Sequence, residues 1–147
     1  QAYHDLRVRY PAVKAAYAPP SGVSIKLVIQ IDEKMNTPGM MKNLLAASLW
    51  TRGAMWKEVI VVDDDIDITN NDEIDWAVVT RVQPGRDIFI LPGGQGSRLD
   101  PSSDANGVTD KLFIDATKKM GFRGKVAEPT KAMMKKIESR WKKYGFH

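Results

Sequence analysis

Residues 57–67 read Lys57-Glu58-Val59-Ile60-Val61-Val62-Asp63-Asp64-Asp65-Ile66-Asp67, an apolar run that stops in four carboxylates within five positions. The run from Val59 to Val62 does not alternate with polar residues, which predicts a strand buried on both faces. Asp is a frequent turn residue because its carboxylate accepts hydrogen bonds from nearby backbone N–H groups. A strand covered on both faces, followed by a turn at its carboxyl end, calls for helices on either side of a sheet.

The flanking sequence fits that frame. Upstream, Gly22-Val23-Ser24-Ile25-Lys26-Leu27-Val28-Ile29-Gln30-Ile31 is rich in β-branched residues and predicts a strand. Asn36-Thr37-Pro38 marks a helix start, with Thr37 as N-cap and Pro38 at the first helical position. Met40, Met41, Leu44, Leu45 and Leu49 then recur at helical spacing, with Ser48 on the same side, which predicts a core-facing stripe. Downstream, Thr69-Asn70-Asn71-Asp72-Glu73 supplies capping residues and first-turn acids for a helix running to about Val82, stopped by Gln83-Pro84-Gly85. Asp87 to Leu91 reads as a third strand. Pro92-Gly93-Gly94-Gln95-Gly96-Ser97 reads as a flexible loop that polar residues extend to about Thr109, and Lys111 to Asp115 as a short strand. A last helix starts near Thr130, with Met133, Ile137, Trp141 and Tyr144 as its apolar stripe and Gly145 as its C-cap.

The expected fold is therefore α/β: a single compact domain with a mixed or mostly parallel central sheet flanked by helices. Residues 1–20, with Pro11, Pro19 and Pro20, read as a lead-in from something upstream. There Leu6, Tyr10, Val13 and Tyr17 could share a helical face that Pro11 interrupts. Residues 21–147 read as the domain. Because the chain starts with Gln1 rather than Met, a processed or truncated polypeptide is expected.

Composition removes several function classes. Cysteine is absent, which excludes disulfides, thiol nucleophiles and zinc–thiolate sites. The two histidines, His4 and His147, lie near the termini, which argues against an internal His-dependent acid–base or metal site. The net charge of +4 speaks mainly to solubility. The basic residues from Lys118 to Lys143 lack interleaved exposed aromatics, so no nucleic-acid partner is expected. No apolar run approaches the roughly 18 residues a membrane helix needs, and no signal-peptide pattern opens the chain, so a cytoplasmic location is expected.

Several residue groups could carry chemistry. Asp63, Asp64 and Asp65 at a strand end could hold Mg²⁺, or could satisfy turn N–H groups and pair with Arg or Lys. A receiver domain would need a phospho-accepting Asp at the end of a later strand, where this chain has Leu91-Pro92. Gly93 to Gly96 could cradle a phosphate but lacks the Gly-Lys-Ser/Thr ending of a P-loop. Arg52, Arg81 and Arg98 could each contact an anion. Ser139 and Lys142 have Ser-x-x-Lys spacing without companion motifs, and Lys111 with Asp115 is spaced for a salt bridge.

A further series of residues is more specific. It comprises Gly22 to Leu27 after a Pro-Pro-x-Gly-type turn, Trp56 to Asp67, Asp75-Trp76-Ala77 with Thr80-Arg81, and Pro84 with Arg86-Asp87. It continues with Leu99-Asp100-Pro101-Ser102, Lys111-Leu112, Ile114-Asp115-Ala116-Thr117 and Trp141 to Phe146. In order and spacing, from about Val13 to Phe146, it resembles the C-terminal domain of UbiD-type decarboxylases. The resemblance implies part of an enzyme that reversibly decarboxylates aromatic or α,β-unsaturated carboxylic acids with prenylated FMN, a divalent metal (Mn²⁺ or Mg²⁺) and K⁺. The family's Glu-Arg-Glu and Asn-His-Glu sets belong to an upstream flavin-binding domain. Neither set can be placed on this chain, so no catalytic or metal residue is assigned. By resemblance, the C-terminal domain supports oligomerisation and closes over the substrate pocket, with Arg52 approaching the cofactor phosphate. Ser97, Arg98 and Leu99 line the substrate, Leu99 being the better apolar wall. The isolated chain is expected to be inactive and to bind no flavin tightly. Its expected partners are a flavin-binding domain or subunit and further copies of itself, joined through the last helix or the helix at 38–50. Two other functions fit the residues: a free-standing assembly or interaction module, and a small Mg²⁺- or anion-binding domain using Asp63, Asp64, Asp65 and the 93–96 loop.

Overall fold

A computed structural model describes residues 1–51, 55–124 and 129–144. At its centre, β3 (Glu58–Asp63) runs parallel to β2 (Lys26–Ile31) on one side and to β5 (Val108–Asp115) on the other. Antiparallel edge strands complete the sheet: β1 (Val13–Tyr17) against β2 and β4 (Ile88–Gln95) against β5, in the order β1-β2-β3-β5-β4. The sheet is therefore mixed, as expected, with a parallel centre.

The uninterrupted apolar run of β3 is explained by its two covered faces. Val59 and Val61 point into one core with Leu27, Ile29, Ile31 and Phe113, closed by α1 (Ala2–Arg9) through Leu6 and by α2 (Met40–Ser48) through Met41, Leu44 and Leu45. Ile60 and Val62 point into the other, closed by α3 (Asn71–Arg81) through Ile74 and Ala77. Asn70 caps α3 by accepting a 3.1 Å bond from the Asp72 N–H, which satisfies one of the free donors of the first turn. One helical turn, α4 (Pro84–Asp87), links α3 to β4.

Local differences from the sequence expectation have local causes. The lead-in 1–20 carries both α1 and β1, the helix ending at Arg9 just before Pro11, so Val13 and Tyr17 lie on a strand. The strand expected from Gly22 begins only at Lys26, because Val23 and Ser24 take positive φ values of 47° and 63° in a turn after Pro20–Gly22. Thr37 is not the cap of α2. Gly39, at φ 81°, occupies that position, and such a backbone favours glycine. Pro92 to Gln95 extend β4, where an edge strand tolerates proline beside a register shift between Leu91 and Gly94.

The final helix, α5 (Lys131–Glu138), starts at Thr130 as expected, with Thr130 Oγ1 accepting from the Met133 N–H at 3.2 Å. None of its residues is buried. Met133, Met134, Trp141 and Tyr144 are all exposed, and the expected cap at Gly145 lies outside the described residues.

Candidate functional site

Three of the four carboxylates at the end of β3, Asp63, Asp64 and Asp65, are locked in ion pairs, while Asp67 accepts from Thr69. Arg81, from the last turn of α3, donates from Nη1 to Asp63 Oδ2 at 3.0 Å and from Nη2 to Asp65 Oδ2 at 2.9 Å. Its guanidinium lies 5.2 Å from the Trp76 ring centroid and 5.4 Å from that of Phe122, within cation–π range of both. Lys118 donates its backbone N–H to Asp63 at 2.6 Å and places its amine 2.9 Å from Asp65. Asp64 pairs with Lys14 at 2.9 Å. Burial pushes the Asp63 carboxyl above its ordinary range, with the Lys118 N–H and Arg81 pulling the other way. Burial acts on Asp65 in the same sense, but there the Arg81 and Lys118 hydrogen bonds prevail and hold it low. The Lys14 hydrogen bond holds Asp64 low.

This arrangement does not suit the Mg²⁺ or anion site considered from the sequence. Among the described residues no group of three or more carboxylates or imidazoles is placed to hold a metal ion. The glycine-rich segment is also at the wrong end of the sheet. Gly94 and Gln95 pair with Thr109 and Val108 at the start of β5, whereas Asp63 ends the parallel neighbour β3. The carboxyl edge does open into a cleft of about 580 Å³ between the start of α2 and the 117–120 segment. Four of its charges pair with one another, Arg86 with Asp87 at 2.7 Å and Lys119 with Asp115 at 2.8 Å, while Lys118 reaches out to Glu33 and Asp65 and Lys42 lies over the Phe89 ring. Asp115 takes Lys119 rather than Lys111, from which four residue steps along β5 separate it by about 13 Å.

At the opposite end of the sheet, residues 96–107 connect β4 to β5. Of the three expected pocket residues here, Leu99 is 86% exposed and Arg98 is exposed, whereas Ser97 is buried. Ser97 Oγ accepts the Leu99 N–H at 3.1 Å, so it shapes the turn from inside. The segment is not the loose loop expected. Asp100, 4% exposed, accepts from the Ser102 N–H at 3.0 Å, the Ser102 hydroxyl at 2.9 Å, the Thr109 hydroxyl at 3.2 Å and the Lys57 amine at 2.8 Å. The Lys57 hydrogen bond holds the Asp100 carboxyl far below the ordinary carboxylate range, against the opposing effect of burial. Lys111 is also buried beneath the turn, where burial lowers its pKa and Asp100 opposes the shift. Asp100-Pro101-Ser102 is a turn signal of the kind in which an Asp bonds to the N–H two residues on, but the sequence does not show that Lys57 and Thr109 meet the same carboxylate. Arg52, the expected contact to the cofactor phosphate, lies outside the described residues. Its neighbour Thr51 is buried, donating to Ser48 O at 2.7 Å and accepting from Trp56 Nε1 at 2.8 Å.

Residues 1–116 match the 3-octaprenyl-4-hydroxybenzoate carboxy-lyase C-terminal domain. Anhydromevalonate phosphate decarboxylase of Archaeoglobus fulgidus is 45% identical over 97 residues, which is 66% of this chain and 22% of that protein. Among solved structures, the UbiD-class enzyme HmfF of Pelotomaculum thermopropionicum, in complex with FMN, superposes with a TM-score of 0.74 at 39% identity, covering 87% of this chain and 28% of that one. Vanillic acid decarboxylase of Sedimentibacter hydroxybenzoicus in its closed form gives 0.76 at 30% identity, over 96% of this chain and 31% of that one. The chain thus spans under a third of the length of each of these relatives. With most of its length matched in sequence and its mixed five-stranded sheet matched in space, this chain belongs to the UbiD family of decarboxylases, in the part that forms their C-terminal domain.

Proposed function

We propose that this chain closes the substrate pocket and joins the protomers of a prenylated-FMN-dependent decarboxylase acting on α,β-unsaturated or aromatic carboxylic acids. The observation that carries the proposal is Leu99, a large apolar side chain 86% exposed on a turn whose Ser97 and Asp100 are tied inward. An apolar side chain held out to solvent on a fixed turn suits the wall of a pocket completed by another domain. The same function accounts for α5, whose Met133 and Met134 have no place in the domain's own core. The helix at 38–50 is the poorer joining surface, since Met41, Leu44 and Leu45 are buried inside the domain.

The flavin, the divalent metal and K⁺ belong to the flavin-binding partner domain. When bound, prenylated FMN takes up the electron density released as CO₂ leaves. The buried carboxylates Asp63 and Asp100, and Asp65 beside them in the ion-pair network, are committed to Arg and Lys partners, so the chain's contribution is shape, exclusion of water and assembly.

CO₂ release is the test. The 147-residue chain is incubated with prenylated FMN, Mn²⁺, K⁺ and either anhydromevalonate phosphate or vanillic acid, beside the same chain joined to its flavin-binding part. Turnover is expected only from the joined protein. Turnover by the chain alone would overturn the proposal. Self-association of the chain together with an inactive joined protein would favour a free-standing assembly module.

A further inference from the structure

Asp100 is an acid that the family resemblance leaves without a role, and the turn it organises is unusually closed for a surface connection. Its two oxygens accept four hydrogen bonds from three elements. Oδ1 takes the Ser102 N–H and hydroxyl within the turn, and Oδ2 takes Thr109 of β5 and the Lys57 amine just ahead of β3. Lys57 also donates to the Ser102 hydroxyl. Around this carboxylate the backbone closes on itself. The Asp100 N–H donates to Ser97 O at 3.0 Å, the Ser103 N–H to Asp100 O at 3.0 Å and the Gly96 N–H to Gly107 O at 2.8 Å. Ser97 Oγ takes the N–H of Leu99 itself. The two residues that face outward, Arg98 and Leu99, are thus bracketed by two buried polar residues, Ser97 and Asp100, each bonded inward.

From this we infer that Asp100, anchored by Lys57, is a positioning residue for the substrate wall: it presents Leu99 in a fixed place before substrate arrives and thereby sets which acids fit. The inference rests on the function proposed above. A wall fixed in advance discriminates by shape at no ordering cost, whereas a loose loop would lose conformational entropy on each closure. Asp100 touches no substrate and acts through Leu99. Lys57, one third exposed, is the anchor that ties the turn to the sheet's central strand.

Two measurements test this. The first is amide hydrogen exchange on the 147-residue chain. The Leu99 and Ser102 amides are expected to exchange about 100-fold slower than unprotected amides. Asp100→Asn should abolish that protection while the amides of Val59 to Val62 keep theirs. Lys57→Gln, at a more exposed position, should reduce it in the same direction. Unprotected Leu99 and Ser102 amides in the unsubstituted chain would overturn the inference, whatever the enzyme does.

The second is kinetics of the joined enzyme with anhydromevalonate phosphate and vanillic acid. Leu99→Ala and Asp100→Asn should each raise KM about tenfold for the preferred acid and narrow the preference between the two acids, with kcat within about threefold. The double variant should be no worse than either single one, as befits residues acting as a unit. A merely structural Asp100 would lower thermal stability, leave KM and the preference alone, and overturn the inference. If Leu99→Ala itself left KM and preference unchanged, the pocket-wall function proposed above would fail instead, with the exchange result still standing.

Discussion

At Arg81, a guanidinium only 4% exposed meets two carboxylates and two aromatic rings. Its removal would leave Asp63 buried with the Lys118 N–H as its remaining described partner, and breaking a buried pair in this way costs about 3–5 kcal/mol. Asp63 also sets how that loss depends on pH. Burial already holds its folded pKa above the unfolded value, which lies near 3.9. A carboxyl raised on folding binds more proton in the folded state, so its contribution is greatest below the unfolded pKa and falls as pH rises through the folded one. Without Arg81 that window widens upward. Arg81→Gln should therefore lose less stability at pH 5 than at pH 8 in urea unfolding. An equal loss at both would mean that Asp63 takes up no proton when the guanidinium is gone.

At the scale of elements, the β4–β5 pair shows how backbone and side chain constrain each other. A Cβ on Gly96 would lie 2.5 Å from Thr109 Cγ2. Thr109 can swing away only by withdrawing its hydroxyl from Asp100, so the clash and the loss of the turn's anchor come together. Gly96→Ala should cost about 1–3 kcal/mol, in the range of overpacked sites, read as a lowered thermal midpoint. Gly94→Ala is the control. Its nearest contacts, at 3.1 and 3.2 Å, are Cε and Cγ of the long Lys111 side chain, which can shift, so its effect should be smaller. A Gly94→Ala loss equal to that of Gly96→Ala would place the sensitivity in β4 as a whole rather than in Thr109.

At the scale of the molecule, the described residues form two closed cores, and α5 contributes to neither. Replacing Met133 and Met134 with Gln should leave the thermal midpoint of the chain within about 2 °C, because no buried contact is lost. The same change should shift the particle to a smaller species in light scattering if α5 joins protomers. An unchanged particle size would send the joining surface elsewhere, with Trp50 (86% exposed) the next place to look.

Several elements were legible along the chain: β3 from its unbroken apolar run, α3 from Asn70 and the first-turn acids, the start of α5 from Thr130; β1 and the end of β4 were not. These signals are local, and the hydrogen bonds behind them span a few residues. The parts that were not legible depend on partners far apart in sequence. Asp63 meets Arg81 across 18 residues and the Lys118 N–H across 55, and this turned a possible metal cluster into an ion-pair lock. Lys57 reaches across 45 residues to Ser102, beside Asp100, turning a polar, glycine-rich segment that reads as flexible into a fixed turn. The sequence by itself determined the central strands β2 and β3, the helix α3, the start of α5 and the apolar face of α2, because backbone sterics and side-chain periodicity act within a few residues. Which charges neutralise one another, and which apolar side chains remain exposed, was settled only when the sheet brought its distant ends together.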